Sequence, residues 1–151
     1  MSTLSEEVAQ AAIAGGQSYV VIEELIDKAG EIISKYTGGE DACVTSSASA
    51  AICLTIAGLI SKGKKSIVDR LPDSTGLPNE IVIQKGHSID YGAPMPTMIR
   101  LGGGVPVEAG TANEVVPEDI EEAITENTVA LFYVKSHHCV QKGMVDLETM
   151  R

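Results

Sequence analysis

The chain has 151 residues, of which 44% are hydrophobic, and its 21 acidic and 11 basic side chains give a net charge of −10. This is the size and composition of one globular domain, and the acidity argues against a nucleic-acid partner or an anionic membrane surface. No run approaches the roughly 20 apolar residues of a membrane span. Three cysteines without CxxC spacing fit a reducing compartment, so we expect a soluble, cytoplasmic protein.

Helix-forming and strand-forming segments alternate along the chain. The predicted elements, in chain order, are helix 5–14, helix 21–36, strand 42–45, helix 48–60, strand 81–83, helix 95–101, strand 105–109, helix 118–124, strand 129–134 and a helix that opens at Asp146. Strands separated by helices of this length favour a mostly parallel sheet with helices on its faces. The sequence therefore predicts the α/β class, as a three-layer sandwich.

Three of these elements surround the most unusual stretch of the sequence. Segment 21–36 predicts an amphipathic helix that is stopped by Gly38 and Gly39. Segment 42–45 indicates a short buried strand. Helix 48–60 is so apolar that we expect other elements to cover it on most sides.

Ser46, Ser47 and Ala48 form a turn of small side chains between strand 42–45 and helix 48–60. In an α/β sheet, backbone N–H groups point outward at such a turn, with the positive end of the helix dipole behind them. Small side chains let a phosphate approach the backbone, and the hydroxyls add donors. The alternative is that Ser46 simply caps the helix. No Walker lysine follows the turn and no GxGxxG motif is present, so both interpretations stay open.

His87 follows strand 81–83, and Tyr91 lies four residues further on. At the carboxyl end of a strand, an imidazole can stack on a planar ring or transfer protons. The alternative is a partly exposed surface histidine without a function.

Ser136, His137 and His138 leave strand 129–134 at the same carboxyl edge of the predicted sheet. A metal site is not expected there, because adjacent residues of an extended segment point to opposite sides and no further ligand set is suitably spaced. Asn113 follows strand 105–109 and is either part of the same site or an ordinary turn residue. Ligands of open α/β sheets bind at this edge.

Five stretches together resemble a known family: "VTSSASAA", "NEIVIQKGHSIDYG", "RLGGGVPVEAGTANEV", "DIEEAITENTVALFYVKSHH" and "GMVDLE". Their order and spacing are similar to the first half of the large domain of pyridoxal-phosphate enzymes of the aspartate-aminotransferase fold. The branch is the one that contains D-glucosaminate-6-phosphate ammonia-lyase and L-seryl-tRNA selenium transferase. The resemblance covers residues 21–151 as an incomplete, truncated large domain and leaves 1–20 as an N-terminal segment.

The resemblance implies a site for the cofactor pyridoxal 5′-phosphate. The family's phosphate loop falls on Thr45, Ser46, Ser47 and Ala48, where Ser47 stands in place of the usual glycine. The position that stacks on the cofactor ring falls on His87. The segment that faces a small-molecule substrate falls on Ser136, His137 and His138.

The resemblance also implies the N-terminal part of a lyase of the ammonia-lyase type, which acts by α/β-elimination on an amino acid or a phosphorylated amino-sugar acid. Two alternatives remain open. One is a selenium or sulfur transferase acting on aminoacyl-tRNA, against which the charge of −10 argues. The other is a non-catalytic partner subunit of the same fold.

The family's Schiff-base lysine and pyridine-binding aspartate have no counterpart in this sequence, so the catalytic residues are unknown. Lys85 and Lys135, for example, do not match the family's lysine motif. We expect the chain alone to be inactive. It is then a fragment or a subunit that a second chain completes, within a homo-oligomer or a mixed complex.

Overall fold

A computed structural model describes residues 3–151 of the chain. Within that range the α-helices are α1 (Glu6–Gly16), α2 (Ile22–Thr37), α3 (Ala48–Ser61), α4 (Lys65–Val68), α5 (Met95–Leu101) and α6 (Pro117–Ala123), and the strands are β1 (Glu80–Gln84), β2 (Val105–Ala109) and β3 (Thr128–Phe132). A single 3₁₀ turn, Lys85–His87, follows β1 directly. Eight of the ten predicted elements are present at nearly the expected positions, whereas the short helix α4 was not predicted.

The chain divides into two compact units, one ending at Thr45 and one spanning Ser46–Arg151. The first unit contains α1 and α2, and the second contains the sheet and the other helices. The predicted boundary between residues 20 and 21 separates an N-terminal segment from the large domain. The division into compact units does not test it, so it stays a prediction.

In the first unit both helices end at glycine-rich sequences, but in different ways. α2 stops where predicted, at Gly38, whose φ of 75° is left-handed. α1 instead runs through Gly15 and Gly16, beyond its predicted end at residue 14. A glycine costs a helix only about 1 kcal/mol relative to alanine, and the N–H of Gln17 still donates to the carbonyl of Ile13.

The sheet of the second unit has the strand order β2-β1-β3, and both pairings are parallel. Glu80 pairs with Val105 on one side and with Thr128 on the other, so the three strands begin at one level. The mostly parallel sheet predicted from the sequence is therefore confirmed.

Two apolar clusters cover the two faces of the sheet. Ile81 packs with Ile56 of α3 and Ile99 of α5, whereas its neighbour Val82 packs with Ile120 of α6. Adjacent strand residues point to opposite faces, so α3 and α5 cover one face and α6 covers the other. This confirms the predicted three-layer sandwich.

The predicted strand 42–45 is wrong. These residues are outside any helix or strand, and Val44 is 65% exposed rather than buried. A strand is stable only when a neighbour completes its hydrogen-bond ladder, and none of the strands within residues 3–151 pairs with this segment.

The expectation that helix 48–60 is covered on most sides is also wrong. In α3 only Ile56, Ile60 and Ser61 are buried, and Leu54 is 59% exposed. The elements that α3 contacts lie along one side of it, so its uniformly apolar sequence does not correspond to uniform burial.

The helix predicted to open at Asp146 is replaced by turns. The Asp146 carboxylate does accept a hydrogen bond from the N–H of Thr149, at 2.8 Å, as a helix cap would. However, the buried side-chain amide of Gln84 bonds both backbone groups of Val145, each at 2.8 Å. Gln84 thus holds the preceding backbone as a strand neighbour would.

No helix within residues 3–151 is long and apolar enough to cross a lipid bilayer.

We expect Gln84→Ala to lower the free energy of unfolding by roughly 2–4 kcal/mol, because it leaves a buried N–H and a buried carbonyl of Val145 without partners. Urea denaturation followed by circular dichroism measures the change. Gln17→Ala, at an exposed position, is the matched control and should stay within about 0.5 kcal/mol of the parent. A Gln84→Ala variant as stable as this control would contradict the role assigned to the amide.

Candidate functional site

The candidate site lies at the carboxyl edge of the sheet, meaning the edge at which all three parallel strands end. The 3₁₀ turn Lys85–His87 follows β1 there. The loop with Asn113 follows β2, and the segment with residues 136–138 follows β3. Since parallel strands all end at the same side, the fold alone places these three segments at one edge.

The orientation of α3 directs a fourth segment to this edge. At its C-terminal end, Ser61 and Lys62 line a pocket together with Pro78, which precedes β1, and Val129 near the start of β3. The helix therefore ends beside the amino ends of the strands. Its N-terminal end points toward the carboxyl edge, where Ser46, Ser47 and Ala48 are all exposed.

The residue that caps α3 is Ser47, not Ser46. The Ser47 hydroxyl accepts a hydrogen bond from the N–H of Ala50 at 3.1 Å. Its φ of −166° is ordinary extended backbone, so a serine fits at the family's glycine position without strain. The N–H groups of Ala48 and Ser49 have no acceptor within the helix.

The first turn of α3 contains no acidic residue. The positive end of the helix dipole therefore meets no side-chain carboxylate on its own helix. N–H groups without helical acceptors, small side chains and a first turn without acidic residues suit the binding of an anion.

His87 is completely buried, so the alternative of a partly exposed surface histidine is wrong. Its ring meets the ring of Tyr133 edge to face, with centroids 4.8 Å apart. Its Nδ1 accepts a hydrogen bond from the N–H of Val134 at 3.3 Å. His87 thus connects the end of β1 to the segment that follows β3.

Nε2, the other ring nitrogen of His87, makes no hydrogen bond of good geometry with the described residues. With Nδ1 acting as an acceptor, the neutral ring carries its proton on Nε2, and this buried N–H finds no acceptor among the described residues. Burial lowers the pKa of His87, and the backbone of Val140 offsets part of that effect. A buried donor without a well-placed partner is unusual in proteins, and since Nε2 is sealed from solvent, other protein atoms cover it rather than an open site.

Gly86 allows the chain to pack tightly beside His87. A Cβ at this position would lie 2.8 Å from the Met144 sulfur and 2.9 Å from the carbonyl oxygen of Ala112. Both contacts are closer than side chains tolerate, so only glycine fits here. Nothing in the sequence distinguishes Gly86 from an ordinary turn glycine.

His137 and His138 lie in a turn rather than in an extended segment, so the argument that their rings point apart is wrong. Their ring centroids are 3.9 Å apart, and the His138 ring also stacks on Tyr91 at 4.2 Å. Residues 3–151 nevertheless contain no group of three or more His, Cys, Asp or Glu side chains placed to hold a metal ion.

Gln141 fixes the backbone around Ser136, a role that the sequence analysis missed. Its side-chain nitrogen donates to the carbonyls of Val134 and Ser136, at 3.3 and 3.2 Å, and its side-chain oxygen accepts from the Tyr133 hydroxyl. The signal in the sequence was weak, because a glutamine in a loop has no periodicity to identify it.

Asn113 lies at the carboxyl edge, as one of its two interpretations requires. It lines a pocket together with Glu114, Val140, Lys142 and Gly143. Asn113 also belongs to an ordinary turn, in which the Thr111 hydroxyl donates to the carbonyl of Glu114, and its part in the site stays a prediction.

Comparison with known proteins identifies relatives over nearly the whole chain. The model of the L-seryl-tRNA selenium transferase family matches residues 2–147. D-glucosaminate-6-phosphate ammonia lyase of Salmonella typhimurium is 47% identical over 98% of this chain and 40% of its own length. A solved structure of D-glucosaminate-6-phosphate ammonia-lyase superposes with a TM-score of 0.96 over 99% of this chain and 40% of that one.

Other relatives have different activities. A 5′-C-glycyluridine monooxygenase-decarboxylase of Streptomyces is 41% identical over 98% of this chain and 38% of its own length. An L-seryl-tRNA(Sec) selenium transferase of Haemophilus influenzae is 32% identical over 87% of this chain and 28% of its own length. The chain thus spans well under half the length of these relatives.

We expect folding stability to depend on pH through His87. Its folded pKa lies below the ordinary value of 6.5, so the unfolded chain binds more protons between those two values. Stability therefore falls as the pH drops through that window. Urea unfolding at about pH 7.5 and about pH 5.5 should show a smaller loss in His87→Asn than in the parent.

His137→Gln is the matched control for this prediction, because it removes an exposed histidine and should keep the parent's pH dependence. Equal losses of stability in the parent and in His87→Asn would contradict the prediction.

Proposed function

We propose that this chain, which belongs to the L-seryl-tRNA selenium transferase family, is the N-terminal part of a pyridoxal 5′-phosphate-dependent lyase of the ammonia-lyase type. Its substrate would be an amino acid or a phosphorylated amino-sugar acid. The observation that carries the proposal is the 47% identity and TM-score of 0.96 to a D-glucosaminate-6-phosphate ammonia-lyase, over 99% of this chain.

The N-terminal end of α3 fits the phosphate group of this cofactor. We assign the exposed residues Ser46, Ser47 and Ala48 to phosphate binding, through backbone N–H groups and hydroxyls at the positive end of the helix dipole. When bound, pyridoxal phosphate supplies an electron sink for bond cleavage next to the substrate amine. The residues of this chain would hold the cofactor and orient it.

The resemblance assigns His87 to the cofactor ring, but its side chain is completely buried, so we propose that it supports the edge from beneath and does not present a free face to the ring. Because its imidazole is buried and its pKa is lowered, it would stay neutral near pH 7. A neutral ring packs against an aromatic system without introducing a charge that the buried site would have to solvate.

We assign Ser136, His137 and His138 to the substrate side of the site. The two imidazoles are exposed at the carboxyl edge, and the backbone before them is fixed by Gln141. Imidazole N–H groups and a serine hydroxyl are suitable donors for the oxygens of an anionic substrate. In a chain with a net charge of −10, such local donors matter for an anionic ligand.

No lysine is assigned a catalytic role. Lys85 is close to His87 in sequence, but it is half-exposed and lies 3.7 Å from the carboxylate of Glu108. Since the relatives are much longer than this chain, we propose that the groups which transfer protons are supplied by sequence outside it, or by a second chain in an oligomer.

The family description and the Haemophilus relative support the alternative of a transferase acting on aminoacyl-tRNA. The net charge of −10 opposes an RNA partner, because it repels the phosphate backbone. A non-catalytic partner subunit is the other alternative, and the exposed apolar side chains of α3, such as Leu54, are compatible with it. Relatives with three different activities share this region, which suggests that it supplies binding rather than the choice of reaction.

We expect Ser46→Asp to weaken the binding of pyridoxal 5′-phosphate by at least about tenfold, because it places a negative charge where the phosphate binds. Titration calorimetry on the 151-residue chain measures the affinity. Ser66→Asp makes the same change at an exposed serine of α4 and should leave the affinity unchanged. Equal affinities for both variants would refute the assigned phosphate site.

We also expect that borohydride reduction in the presence of pyridoxal 5′-phosphate labels no lysine of this chain stoichiometrically, and that the chain releases no ammonia from D-glucosaminate 6-phosphate. Peptide mass spectrometry and an ammonia assay test these outcomes. Labelling that persists in Ser46→Asp is nonspecific. One lysine that is labelled in the parent and not in that variant would overturn the view that the reactive lysine lies elsewhere.

A further inference from the structure

Tyr91 contacts a residue of the proposed site although no role has been assigned to it. It lies in the loop between the 3₁₀ turn and α5, and its ring stacks on His138 with centroids 4.2 Å apart and planes at 26°. His137 lies on His138 as well, at 3.9 Å. The His138 imidazole therefore contacts one ring from the β1 side of the edge and one from its own turn.

The backbones of both loops are held independently of this ring contact. In the Tyr91 loop, the N–H of Met95 donates to the carbonyl of Ile89 at 2.9 Å, and Asp90 and Pro94 form an isolated β-bridge. In the His138 turn, the N–H of His138 donates to the Ser136 hydroxyl at 3.2 Å. The ring contact therefore joins two loops whose backbones are each held by their own hydrogen bonds.

The imidazole of His138 is held differently from its backbone. It is exposed, and no hydrogen bond to its ring is formed by the described residues. An exposed histidine with no polar partner samples several χ1 rotamers. The stacking contact with Tyr91 favours one of these rotamers. At the strength usual for aromatic pairs, it raises the population of that rotamer relative to the others by roughly 2- to 10-fold.

We propose that Tyr91 is a positioning residue, which holds the imidazole of His138 in one orientation at the carboxyl edge of the sheet. The proposal rests on the proposed function for its purpose, because His138 matters to a substrate only if the substrate binds at this edge. The claim that Tyr91 orients His138 rests on the ring geometry alone. Tyr91 needs only its ring for this role, so phenylalanine should replace it.

The test measures the χ1 rotamer of His138 by NMR, from the three-bond couplings of its Cγ to the backbone N and carbonyl carbon. These couplings do not depend on the ring current of the tyrosine, so they report orientation and not the mere loss of a neighbouring ring. We expect the parent chain and Tyr91→Phe to show one dominant rotamer. In Tyr91→Ala the population ratio of the dominant rotamer to the others should fall by roughly 2- to 10-fold.

Two further variants complete the design. Tyr36→Ala removes an exposed tyrosine of α2 and should leave the His138 couplings unchanged. Tyr91→Leu keeps an apolar side chain in the loop and serves if Tyr91→Ala does not fold. It should also release His138, because a branched aliphatic side chain cannot stack on a flat ring.

An unchanged His138 rotamer in Tyr91→Ala or Tyr91→Leu would overturn the proposal, and so would a Tyr91→Phe variant that behaves like Tyr91→Ala. This readout requires neither cofactor nor substrate. Failure of the chain to bind pyridoxal 5′-phosphate would therefore count against the proposed function, whereas the rotamer measurement decides the role of Tyr91.

Discussion

The parallel pairing of β1 with both of its neighbours is the constraint on which the rest of the second unit depends. Because β2 and β3 run in the same direction as β1, all three strands end at one edge, and every connecting loop after a strand must leave from there. His87, Asn113 and the turn with His138 are brought together by that constraint before any side chain contributes. α3 runs against the strands, which directs the Ser46 to Ala48 segment to the same edge.

Polar side chains then fix the loops that the sheet leaves without ladder partners. Gln84 bonds both backbone groups of Val145, Gln141 bonds two carbonyls around Ser136, and His87 accepts from the N–H of Val134. The bonds to Val145 and Val134 satisfy backbone groups that have no other partner among the described residues, whereas the Ser136 carbonyl also accepts from the N–H of Cys139. The edge is therefore held in place by a few side-chain amides and one buried imidazole, not by further strands among the described residues.

The sequence was sufficient to predict those elements whose pattern is local. Strands β1 and β2 and helices α5 and α6 follow from apolar periodicity and from turn residues, and all are present. Segment 42–45 has the composition of a strand, but a strand depends on a partner that composition does not reveal. The same limit applies to the site: the edge was predictable, whereas the turn that places His137 against His138 depends on hydrogen bonds to Ser136 and Gln141.

The central claim is that the N-terminal end of α3 binds the phosphate of pyridoxal 5′-phosphate at the carboxyl edge of the sheet. The most direct measurement is a titration of the chain with this cofactor, followed through the backbone amide chemical shifts. We predict that the amide protons of Ala48 and Ser49 show the largest changes. Unmoved signals for these two residues, with the largest changes instead at Lys62 and Lys64 at the opposite end of α3, would contradict the claim.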